Sequence, residues 1–183
     1  MGGEEGLDHA VDAMQRGDEA AFRLVYRAVQ PPLLRYLTVL VGPVDAEDVA
    51  SEAWAQAFRD LDRFSGGADG FRGWVTTIGR NRAIDHLRRN SRRPVSDQVV
   101  DDLVDLPDDA DVELDTLVRV GSEEVVALIS SLPRDQAEAI MLRTVLGFDA
   151  PTAARILGKR PGAVRAASHR GLKQLARKLS PDP

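Results

Sequence analysis

Between Phe71 and Arg93 the chain carries seven arginines and a single acid, Asp85; between Pro151 and Lys178 it carries eight lysines or arginines and no acid. Guanidinium groups at this density hold phosphates and oxygen-bearing base edges through charge-assisted, often paired hydrogen bonds. Nothing beside them supplies bond-breaking chemistry. The chain has no cysteine, which excludes disulfides, thiol nucleophiles and cysteine-ligated zinc. Its three histidines, His9, His86 and His169, lie far apart and form no HxxxH pair, so no metal site is expected. No nucleophile–base–acid set, P-loop or glycine-rich nucleotide motif occurs, so neither an enzyme nor a cofactor is expected. The net charge of −5 hides the two basic segments, because nine acids and no base lie between Pro94 and Val118.

The basic segments need elements to present them. Among the 183 residues, 43% are hydrophobic and only 5% aromatic, with abundant Ala, Leu, Val and Arg, a composition that favours helices. A helix is expected from near Asp18, with Ala21, Phe22, Val25, Tyr26 and Val29 at i, i+3, i+4 spacing. Pro31 and Pro32 are expected to interrupt it, and "LLRYLTVLVG" to resume a helix ending at Gly42. Asp45, with Asp48 three residues on, reads as the capping start of a helix whose apolar stripe is Ala50, Ala53, Trp54, Ala57, Phe58 and Leu61. "SGGADG" reads as a loop. In the helix that follows, Phe71, Trp74, Val75 and Ile78 fall on one side and Ala83, Ile84 and Leu87 on the opposite one, so it changes packing partner along its length. Trp74 reads as core rather than as a stacking platform.

Residues 94–121 read as an acidic linker with little stable structure. A second helical unit follows. Ser122 caps "EEVVALISSL", Pro133 starts a helix closed by Gly147, Asp149 caps a short helix stopped by Gly158, and "KRPG" turns into a last helix. That helix would bury Val164, Ser168, Leu172, Leu175 and Leu179. A short helix, a tight turn and a longer basic helix make a helix-turn-helix, whose second helix enters the major groove. Arg160, Arg165, Ala166 and His169 are the outward positions near its start, with Arg165 suited to guanine. Lys159, Arg170 and Lys173 suit phosphates. The plainer alternative is a helical hairpin with a solvated basic face.

Three segments in this order resemble a bacterial RNA polymerase sigma factor of the extracytoplasmic-function (ECF) group of the sigma-70 family. "DAEDVASEAWAQAF" is similar to region 2.2, "FRGWVTTIGRNRAIDHLRR" to regions 2.3 and 2.4, and "LPRDQAEAIMLRTVLGFDAPTAARILGKRPGAVRAASHRGLKQL" to region 4. The resemblance implies an all-α chain of two small helical domains. Residues 1–93 would be region 2, 94–121 the linker and 122–183 the region 4 helix-turn-helix. It also implies partners: core RNA polymerase, through its beta-prime clamp helices and beta flap, promoter DNA, and an anti-sigma factor. Asp48, Glu52, Gln56 and Arg59 would face the polymerase; their plain reading is helix solubility. Arg63, Asp69, Arg72, Arg80, Asn81, Arg82, Arg88 and Arg89 would serve the −10 element, with a flipped base held by the loop Arg63–Gly73. Arg92 and Arg93 would join Arg88 and Arg89 against phosphate. The −35 element would be read by the last helix. That helix departs from many relatives in carrying Ala163, Ala166 and Ala167, which puts the weight on Arg160, Arg165 and His169. A monomer in the cytoplasm, with no membrane insertion, is expected. The competing reading, a stand-alone helix-turn-helix regulator, leaves "DAEDVASEAWAQAF" and the first basic segment without a role.

Overall fold

The structure, a computed structural model, describes residues 2–91 and 122–179, so the linker reading of 94–121 and the roles of Arg92 and Arg93 lie outside the described residues. The described residues form α-helices with two short tighter or wider turns and no strand. Helix α1, Gly2–Gln15, was not legible in the sequence. Helix α2, Glu19–Val41, starts where Asp18 accepts the amides of Ala20 and Ala21 at 2.8 and 3.0 Å. It runs straight through Pro31 and Pro32, contrary to the expected interruption. The prolines have no N–H to offer the carbonyls of Arg27 and Ala28, but both those residues are exposed and water can serve them. The buried stripe Val25, Val29, Leu33, Tyr36 and Leu37 holds the helix together across the site.

Helix α3, Ala46–Arg59, follows Asp45, whose carboxylate makes no capping bond. It reaches instead to His86 Nε2 at 3.0 Å. A 3₁₀ turn, Leu61–Arg63, leads to α4, Ala68–Asn90. The expected loop Arg63–Gly73 is therefore only the few residues before Ala68, and most of it is helix. Gly67 has no side chain to cap α4, so Asp8 of α1 does so, accepting the Ala68 amide at 2.6 Å. Only a glycine permits this, since a Cβ on residue 67 would lie 2.5 Å from that same oxygen.

In the second half, Ser122 caps α5, Glu123–Ser130, by accepting the Val125 amide. Helix α6, Arg134–Ile140, widens into a π turn at Met141–Val145. Gly147 at φ 73° then turns the chain toward α7, Ala150–Leu157, which Gly158 ends in the left-handed region at φ 65°. Helix α8, Pro161–Leu179, packs tightly on α6.

Helix α4 lies at the centre. Gly79 lets it approach Leu33 and Leu37 of α2 and Ala53 of α3, and Phe71 sits against Trp54 with ring centroids 6.2 Å apart. Its other side meets the second half, with Gly73 beside Thr152 of α7 and Arg80 paired with Glu138 of α6. The two apolar arcs seen in the sequence are thus real, but they overlap along the helix instead of switching midway. Ala83 and Ile84 are buried while Leu87 is half-exposed. Two other stripe positions are also exposed at 45%, Phe58 and Leu179.

Gly171 marks the α6–α8 contact, because an added Cβ would sit 2.6 Å from Ile140 Cδ1 and 3.1 Å from Gln136 Cβ. Ile140 is fully buried and cannot swing away. Gly171→Ala is expected to lower stability by about 1–2 kcal/mol, overpacking outweighing a helix-propensity gain of about 1 kcal/mol. Gly162→Ala, with nothing within 4 Å, should be neutral or stabilising. Urea unfolding of both variants checks the opposite signs.

Candidate nucleic-acid and polymerase interface

Helix α7, the turn at Gly158–Arg160 and α8 form the predicted helix-turn-helix. Asp149 Oδ1 accepts the Thr152 amide at 2.8 Å and so starts α7, while the Gly158 and Lys159 amides close it on the carbonyls of Arg155 and Ala154. On α8, Gly162, Arg165, His169 and Lys173 recur at three- and four-residue spacing; Lys173 is exposed and the other three are half-buried. Arg160 is exposed at the helix entrance and Lys159 half-exposed before it. Arg170 lies further round and pairs with Asp135 at 3.8 Å. Ala166 corrects the sequence reading: it is fully buried, not outward. Helices α6 and α7 both flank α8, which widens its buried arc until a methyl group is covered.

The exposed stripe of α4 contains Gly70, Asn81, Asp85 and Arg88, with Trp74 and Thr77 half-exposed in the same row. Trp74 packs half-buried against the core, as expected. It stacks on Phe64 at 5.1 Å and 30°, and it also lines a cleft of about 680 Å³ with Asp69, Arg72, Thr77, Phe148 and Arg155. Arg63 is exposed and pairs loosely with Asp60 at 3.6 Å. Asp69 pairs with Arg72 at 2.9 Å.

Along the α3–α4 seam the two sets of candidate residues meet. Arg82 donates from Nε and Nη2 to Gln56 Oε1 at 2.9 and 2.6 Å. Arg89 lies 3.8 Å from Glu52, and His86 Nε2 lies 3.0 Å from the Asp45 carboxylate and 2.9 Å from Asn90 Nδ2, two partners that one ring nitrogen serves only in turn, as donor to the first or acceptor from the second. Asp48, Glu52 and Arg59 remain exposed on the outer edge of α3, and Gln56 is half-buried under Arg82.

Arg80 sits elsewhere. Its side chain is 8% exposed, and its Nε donates to Glu138 Oε1 at 2.8 Å and its Nη2 to Oε2 at 3.3 Å. Tyr36 donates its hydroxyl to the same Oε1 at 2.8 Å. Complete burial, reinforced by the Glu138 carboxylate, pushes the Tyr36 hydroxyl well above its ordinary pKa, so it stays a donor. Arg72, half-exposed, donates to the Leu146 carbonyl and lies 5.2 Å over the Phe148 ring. The sequence reading missed Glu138, Tyr36 and Phe148. One signal was available: Glu138 is the lone acid inside the apolar run Ala137–Leu142, four residues after Arg134.

Comparison with known proteins agrees with this geometry. Residues 25–93 match Sigma-70 region 2, and residues 122–175 match Sigma-70, region 4. The chain is 32% identical over 167 residues to the ECF RNA polymerase sigma factor ShbA of Streptomyces griseus, covering 87% of each chain. It is 28% identical over 174 residues to the ECF RNA polymerase sigma factor BldN of Streptomyces coelicolor, covering 94% of this chain and 65% of that one. Among solved structures, the sigma factor RpoE of Bartonella quintana, in complex with the anti-sigma factor NepR, aligns with TM-score 0.64 and 25% identity over 88% of this chain and 98% of that one. The chain belongs to the extracytoplasmic-function sigma factors of the sigma-70 family.

The Asp149 cap carries a pH signature. Its hydrogen bonds with Thr152 hold the carboxyl below its ordinary 3.8. Stability from this group is therefore present above about pH 4 and lost as pH falls through the lowered folded value. Asp149→Asn should keep the cap and erase this acid-dependent part, whereas Asp149→Ala should lower the urea midpoint at neutral pH as well. Urea titrations at neutral and acidic pH distinguish the three forms.

Proposed function

We propose that the chain binds core RNA polymerase and directs promoter-specific initiation, with residues 1–93 serving the polymerase and the −10 element, 94–121 as connection and 122–183 serving the −35 element. The observation that carries this reading is the helix-turn-helix with Arg165, His169 and Lys173 in one outward row, on the same chain as a second arginine-rich helix beside an exposed acidic edge. Arg165 is the residue suited to a guanine, with Arg160 and His169 beside it in recognition, and Lys159, Arg170 and Lys173 position the helix on phosphates. Asn81, Arg88 and Arg89 on α4, with Arg63 before it, form the solvent-facing part of the −10 surface. Arg82 supports that surface from the seam while holding Gln56. Trp74, beside the cleft with Asp69, offers a ring on which an unstacked base can lie.

Asp48, Glu52 and Arg59 make the edge proposed for the polymerase clamp. RpoE of Bartonella quintana was crystallised with an anti-sigma factor, and a partner of that kind is proposed here too. The protein itself catalyses nothing; the chemistry belongs to the polymerase. No helix among the described residues is long and apolar enough to cross a membrane, which suits the cytoplasmic role proposed.

Purified chain mixed with sigma-free bacterial core polymerase should form a one-to-one complex, and Glu52→Arg should weaken it. A folded chain that fails to bind, yet dimerises and shifts duplex DNA alone, would favour a stand-alone regulator. In promoter-binding assays with polymerase, Arg165→Ala should reduce discrimination between cognate and altered −35 sequences by about 1–3 kcal/mol, the usual worth of a paired base contact. An unchanged preference over that element would contradict the assignment.

A further inference from the structure

We propose that α1 is a strap that fixes the short segment between α3 and α4, with Gln15 and Asp8 as positioning residues for the capture of one unpaired base of a melted −10 strand. The proposal rests on the −10 role given above to α4 and the segment before it. Helix α1 lies ahead of the residues 25–93 that match Sigma-70 region 2.

Asp8, Val11 and Gln15 recur at three- and four-residue spacing and so share one face of α1. Val11 is fully buried and fastens that face to the core. On either side of it a polar side chain reaches the connecting segment. Gln15 Nε2 donates to the Phe64 carbonyl at 2.8 Å and to the Leu61 carbonyl at 3.3 Å. Two turns earlier, Asp8 Oδ1 accepts the Ala68 amide at 2.6 Å. That amide is the first of α4 and has no partner within its own helix. Both ties engage backbone groups, so they fix the path of the chain whatever side chains it carries.

Between the two ties lie only Ser65, Gly66 and Gly67, all exposed. Gly66 makes the turn at φ 141°, a value that favours glycine. Phe64, whose carbonyl Gln15 holds, stacks its ring on Trp74 at 5.1 Å and meets Phe71 edge-on at 5.3 Å. Gln15 thereby sets, through Phe64, the ring offered to an unstacked base. Asp8 sets the first residue of α4 and with it Asp69, the next in the chain. A segment left free would have to order its own backbone on capturing a base, at roughly tenfold in the binding equilibrium per residue. Ties made in advance by α1 remove that cost. Gln15 and Asp8 are themselves committed to backbone groups, so their part is to hold the segment and not to read the base.

Gln15→Glu puts an oxygen against the two carbonyls, Asp8→Ala removes the cap, and Asp8→Asn keeps the accepting oxygen. On the full chain, exchange of the Ala68 amide in heavy water, followed by NMR, should be several-fold faster in Asp8→Ala and unchanged in Asp8→Asn. Templates selected by transcription from a random-sequence library with core polymerase report the two promoter elements separately. Gln15→Glu and Asp8→Ala should lower the strongest base preference of the downstream motif about tenfold, the worth of ordering one residue's backbone, and leave the upstream motif as in wild type. Asp8→Asn should keep both motifs. If loss of helicity shows that Gln15→Glu unfolds α1, Gln15→Met, which removes the donor and keeps the stem, takes its place. Folded variants with an unchanged downstream motif overturn the positioning role. Equal loss in both motifs overturns it too, because that is the mark of general destabilisation. Unchanged Ala68 exchange in Asp8→Ala overturns the strap. If wild type enriches no downstream motif, the −10 reading fails and the positioning role with it, while the exchange still decides whether α1 holds the segment.

Discussion

The carboxylate of Glu138 is the point on which the two halves of this chain turn. It belongs to the helix-turn-helix half, but its hydrogen bonds go to Tyr36 and Arg80 in the other half. A charged group with so little exposure tolerates few arrangements. The Tyr36 hydroxyl must donate, and both nitrogens of Arg80 must face it. Once these are in place, α5 and α6 lie against α2, and α7 lies against α4. The apolar core then runs without a break from Val11 of α1 to Leu175 of α8.

Helix α4 has to satisfy this arrangement together with the DNA-reading role proposed for it. A helix with one apolar face has a free polar side to offer a ligand. Here α1–α3 cover one arc and α6–α7 another, which leaves only the narrow stripe through Trp74, Asn81 and Arg88 toward solvent. Its arginines are accordingly divided. Arg72 and Arg80 hold the second half, Arg82 holds α3 through Gln56, and Arg88 and Arg89 face water. One residue type thus does three jobs, sorted by position around the helix.

Most of the architecture was legible in the sequence. Asp18, Ser122 and Asp149 cap helices as their types and positions required, and Gly158 ends α7 with the positive φ that suits glycine. The failures have physical reasons. Pro31 and Pro32 break a helix only where their missing hydrogen bonds cannot be made good, and here the affected carbonyls are on the wet side. Asp45 has the type and position of a cap but finds a better partner in His86, a contact between residues forty-one apart in number that no local rule supplies. Gly67 looked like loop because its cap arrives from Asp8, a helix away in space. At the site, residue type identified the arginines but not their partners. Arg80 and Asn81 are neighbours in sequence, yet one is buried in an ion pair and the other is exposed. Ala166 was placed outward by helical angle alone, which takes no account of two flanking helices.

Two separate surfaces of this chain are proposed to direct core polymerase to paired promoter elements. The decisive measurement is selection of transcribed templates from a random-sequence promoter library, using core polymerase with and without the chain. Two short motifs at a fixed spacing should be enriched, with the upstream motif alone blurred by Arg165→Ala. Templates indistinguishable from those of core polymerase alone, or a single palindromic motif, would contradict it.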